Sequence, residues 1–202
     1  MTKIYEALEN ASKARGAEQG GGGAMPVRRG GKASRAVQEK LLTLCQRVES
    51  QLPNREQGAV VAFVGAQPGD DSSKLVGEFA RTAAEQLHRS VLLLAATPRM
   101  ASLSAVSQAP QQGWNSVIHE GVALEDTIAQ VGDAPLAVGC IATGRDALPE
   151  VLSSARAKPM FEELRSHFDL VVVDAPPFGT SWDAVLLGPL ADGRSEEHTS
   201  EL

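Results

Sequence analysis

Residues Val60 to Val64 form a short, fully apolar run, and the next ten residues read G-A-Q-P-G-D-D-S-S-K from Gly65 to Lys74. Ser72 to His88 then has helical spacing of apolar residues, so a strand, a Gly/Pro turn and a helix follow one another without a gap. A strand that feeds a helix through so tight a turn leaves backbone N–H groups and the helix dipole pointing outward. Such a turn cradles an anion, phosphate above all. A complete phosphate loop adds a lysine for the β/γ-phosphates and a hydroxyl for Mg²⁺. Ser73 supplies the hydroxyl here, but Ser72 stands where the lysine belongs.

The same alternation continues along the chain. Expected strands at Ala59–Gly65, Ser90–Ala96, Leu136–Ala142 and Phe168–Asp174 are separated by helical stretches at Ser72–His88, Trp114–His119, Leu124–Val131 and Pro149–His167. Apolar strands alternating with helices predict an α/β fold, a doubly wound parallel sheet covered on both faces. Ligands of such sheets bind beyond the carboxyl ends of the strands. Gly65–Ser73, Ala95–Arg99 and Asp174–Pro177 are therefore expected at one edge.

Upstream of the sheet, residues 1–15 read as an amphipathic helix with Ile4, Ala7, Leu8 and Ala11 on one face. Residues 16–33 form a Gly-rich linker, and helical spacing resumes from Ser34 to Leu52. The polar string at residues 194–202, R-S-E-E-H-T-S-E-L, resembles the translation of a sequencing-library adapter and is set aside from the fold. Residues 34–193 then make the globular unit, truncated at its C-terminal side, and 202 residues with 43% hydrophobic content suffice for its core.

Several chemistries find no support. A net charge of −6 gives no general reason to bind nucleic acid or anionic lipid, and Arg28, Arg29, Lys32 and Arg35 read as a solvated basic cluster. Cys45 and Cys140 have no metal-ligand spacing, nor do His88, His119, His167 and His198. Ser102–Ser107 lacks the setting of a nucleophile. No apolar run reaches the ~20 residues of a membrane helix. The expected location is cytoplasmic, with any membrane contact made through a partner.

Phe168 to Pro177, F-D-L-V-V-V-D-A-P-P, together with the opening M-T-K-I-Y-E-A-L-E-N-A and Gly113 to Ile128, resembles the cytoplasmic kinase domain of bacterial tyrosine kinases. These BY-kinases of capsule and exopolysaccharide export belong with the MinD/ParA proteins among the P-loop ATPases. The resemblance implies ATP or ADP with Mg²⁺ as ligand, held through Pro68, Gly69, Ser72 and Ser73, with Ser73 and Asp174 on the metal. It implies a membrane-embedded chain-length or export protein, or an active paralogue, as partner, and possible oligomers.

The family's first loop runs P-G-E-G-K-[ST]-[ST], and here Asp71 replaces its second glycine and Ser72 its lysine. The second motif, D-x-D-x-R after a strand, reads A-A-T-P-R, with Ala95 and Thr97 at the carboxylate positions. Asp174, at the family's Walker B position, is the one retained catalytic candidate. It either holds Mg²⁺ through water or caps the turn that follows. Lys74 is rotated ~200° from position 72 on a helix, away from the place of the family's lysine; an active autokinase would have to use it or a lysine from a neighbouring subunit. The oligomerisation motif is not recognisable: from Glu39 its arginine positions hold Leu42 and Cys45. Tyr5, the sole tyrosine, reads as a packing residue. The expected function is that of a binding or regulatory pseudokinase; an active tyrosine autokinase and a MinD/ParA-like positioning ATPase are the alternatives.

Overall fold

The computed structural model describes residues 35–52, 57–65, 72–95, 112–141, 148–177 and 183–196. In chain order these form α1 (Arg35–Gln51), β1 (Ala59–Val64), α2 (Ser72–Gln86), β2 (Val91–Ala95), α3 (Asn115–His119) and a 3₁₀ turn (Leu124–Thr127). There follow β3 (Ile128–Gln130), β4 (Leu136–Cys140), α4 (Leu148–Ser153), α5 (Ala157–His167), β5 (Leu170–Ala175), α6 (Asp183–Leu187) and β6 (Gly193–Glu196). The N-terminal helix and linker of the sequence reading, with Tyr5 and the Arg28 cluster, lie outside the described residues, as do Ser102–Ser107 and His198.

One six-stranded sheet runs in the order β3-β4-β2-β5-β1-β6. All of its pairings are parallel except that of β3 with β4. β1, β2 and β5 are buried along their whole length, which is why they read as unbroken apolar runs rather than alternating ones. Alternate residues serve two cores. Val61, Phe63, Leu93 and Val172 face α2, against Val76, Phe79, Ala80, Ala83 and Ala84. Val60, Ala62, Leu92 and Val173 face the other side, against Trp114, Phe161 and Leu164. The spacing of the α2 residues puts one stripe of that helix on the sheet, and Phe63 meets Phe79 with ring centroids 4.8 Å apart.

The register is pinned at the entry side of the strands. Ser90 donates through its amide (2.8 Å) and its hydroxyl (3.0 Å) to Asp169 Oδ2, and the Asp169 amide donates to Ser90 Oγ at 2.9 Å. Gly58 lets the chain enter β1 against the backbone of Phe168, where a Cβ would lie 1.7 Å from the Phe168 carbonyl oxygen.

Two expectations change. Leu124–Val131, expected to be helical, is a 3₁₀ turn followed by the antiparallel strand β3. Gly132, at φ +58°, turns the chain back into β4, and bare Gly139 lets Ile128 pair beside it. The stretch Pro149–His167 is two helices, because Pro159 lacks an N–H and fits only the first turn of α5. At the far edge, the backbone of Gly193–Glu196 runs in register with β1. Backbone pairing of this kind asks little of side-chain identity.

Candidate functional site at the carboxyl edge of the sheet

β1, β2 and β5 end together. Phe63 on β1 and Ala95 on β2 are both in register with Asp174 on β5, and Ala95 is in turn in register with Cys140 on β4. In-register neighbours of a parallel sheet share a face, so Cys140, Ala95, Asp174 and Phe63 form one row on the α2 side. The expected convergence at this edge is present in the ends of the three strands. The segments that would complete it, with Pro68, Gly69, Asp71, Thr97 and Arg99, lie outside the described residues.

Asp174 is 5% exposed, an acid near the end of an otherwise apolar strand. Burial between apolar neighbours pushes its carboxyl above the usual carboxylate range, and a hydrogen bond donated by the Ser73 hydroxyl opposes that rise. Ser73 belongs to the first turn of α2. The hydroxyl and the carboxylate that the sequence singled out are thus brought into direct contact, although they are a hundred residues apart. Ser72 opens the same helix, and Lys74 follows Ser73 as an exposed residue.

Beside this pair the described part of the edge is apolar. Ala95 is buried at 5% exposure, and its carbonyl accepts from the Trp114 indole Nε1 at 3.1 Å and from the Ile141 amide at 3.1 Å. The Trp114 amide donates to the Cys140 carbonyl at 2.9 Å, so this tryptophan ties off the ends of β2 and β4 together. Sequence reading placed Trp114 in a helix and gave it no role at the strand ends. Its position just before the Asn115–His119 helix, after a long loop, was the only signal available.

A magnesium nucleotide fits this donor set only in part. Ser73 and Asp174 match the metal side: a hydroxyl and a carboxylate joined by one hydrogen bond. The in-register neighbour of Asp174 offers a methyl group, Ser72 brings no cation, and no group of three His, Cys, Asp or Glu residues arranged to hold a metal occurs among the described residues. Phosphoryl transfer depends on clamping spread negative charge, and the described residues do not supply that clamp.

Neither a protein-family model nor a curated protein matches the chain. Solved structures do. The BceF tyrosine kinase domain is similar at a TM-score of 0.68 and 23% identity, over 96% of this chain and 79% of that one. The kinase domain of the Escherichia coli tyrosine kinase ETK gives 0.71 and 19%, over 88% of this chain and 69% of that one. The cell division ATPase MinD of Pyrococcus furiosus gives 0.52 and 18%, over 68% of this chain and 57% of that one. The fold is therefore that of the P-loop NTPases, in the form shared by bacterial tyrosine kinase domains and MinD. No helix among the described residues is long and apolar enough to cross a membrane.

Proposed function

We propose that the chain is a degenerate BY-kinase-like protein that acts by binding or regulation in exopolysaccharide or capsule production, and not by transferring phosphate. The observation that carries this reading is the asymmetry around Asp174. Its contact with Ser73 survives in a P-loop fold, while its register neighbour is the buried Ala95 and the adjoining helix begins with Ser72. A drifting loop alone would lose residues without regard to role. Here the retained pair is the metal side, and the lost groups are those that clamp phosphate and supply a second carboxylate.

On this reading any ATP or ADP is bound weakly, Mg²⁺ adds little, and residues 34–193 form a docking unit tethered by residues 16–33. Its partner is a membrane-embedded chain-length or export protein, or an active paralogue, met at the inner face of the cell membrane. Incubating the protein with Mg-ATP and following phosphate release and phosphotyrosine tests the proposal. Neither product should rise above a protein-free control. Robust turnover that Asp174→Asn abolishes overturns it.

An active autokinase is the second reading, favoured by Lys74, which sits exposed one residue beyond Ser73 on the same helix. It requires saturable ATP binding that Lys74→Ala removes. A positioning ATPase, the third reading, draws on the likeness to MinD and requires ATP-dependent self-association.

A further inference from the structure

We draw no further inference here: the strongest candidate, the cavity of about 430 Å³ between the end of α2 and the β3–β4 turn, lined by Arg81, Glu85, His88 and Asp133, carries charges of both signs but no buried polar side chain, and nothing in the structure shows what fills it.

Discussion

Arg165 of α5 and Asp192, just before β6, form a buried ion pair: Nε lies 3.1 Å from Oδ2, and the side chains are 5% and 4% exposed. The guanidinium also donates to the Leu190 carbonyl at 2.6 Å and to Glu162 Oε1 at 3.1 Å. Asp192 Oδ2 additionally accepts from the Val60 amide. One pair thus joins a helix, the start of β1 and the approach to β6.

Removing Asp192 takes from Arg165 its one buried counter-charge and leaves it the half-exposed Glu162, at a cost of ~3 kcal/mol, the low end for a broken buried pair. Asp192→Ala should therefore lower unfolding stability by that amount in urea titrations. Asp192→Asn keeps an acceptor for the Val60 amide and should cost less. If Asp192→Ala leaves the urea midpoint in place, the pair is not a structural anchor.

The Asp174 carboxyl gives a pH signature of defined sign. Its folded pKa is raised, so the charged form is disfavoured in the folded state. The resulting cost is fully present above the folded pKa, and it disappears as pH falls through that value toward the unfolded one near ~3.9. Asp174→Asn keeps an acceptor for Ser73 and removes the charge. The variant should melt above the parent at pH 7, with the gap closing by about pH 4. A gap that stays constant across this range contradicts the assignment.

Returning the cation at the head of α2 tests the phosphate side by itself. A charge-assisted hydrogen bond is worth ~1.5–3 kcal/mol, so Ser72→Lys should tighten ATP binding by about tenfold or more in calorimetry. Hydrolysis should remain absent, because Ala95 is unchanged. Turnover in this single variant would show that Asp174 suffices on the metal side.

Both thiols should react slowly. Burial pushes Cys45 up to about 12 and Cys140 up to about 11, and thiolate is the reactive form. At pH 8 iodoacetamide should modify Cys140, which is partly exposed, before Cys45, which is buried against the Phe79 carbonyl. Rapid modification of Cys45 read by mass spectrometry would mean that α1 detaches from α2.

The central strands were readable because a parallel strand covered on both faces must be apolar throughout, and only a few segments of this chain are. Asp174 was readable for the converse reason, as the one charge in such a run. Ser73 and Asp174 were both expected at the carboxyl edge, but the hydrogen bond between them became visible only in the folded chain. β3 was obscured because three residues carry too little pattern to separate a strand from a helical turn, and the informative residues were the glycines at 132 and 139. The break before α5 was signalled by Pro159 but masked by apolar residues spaced for a single helix. Arg165 was invisible as an anchor, since its partner lies 27 residues downstream and only the folded sheet brings the two together.

Ala95 has a consequence for the history open to such a protein. An aspartate there would stand beside Asp174 on an adjacent parallel strand, ~4.8 Å away along the hydrogen-bonding direction, in a row that already resists holding one charge. Without a metal to neutralise them, two like carboxylates would strain the centre of the sheet. On the proposed reading, an aspartate gained at position 95 before the phosphate clamp would therefore weaken the fold and return no activity. On that reading, a carboxylate returned at position 95 is harmful until a metal and the phosphate clamp return with it, whereas a lysine at position 72 carries no such cost.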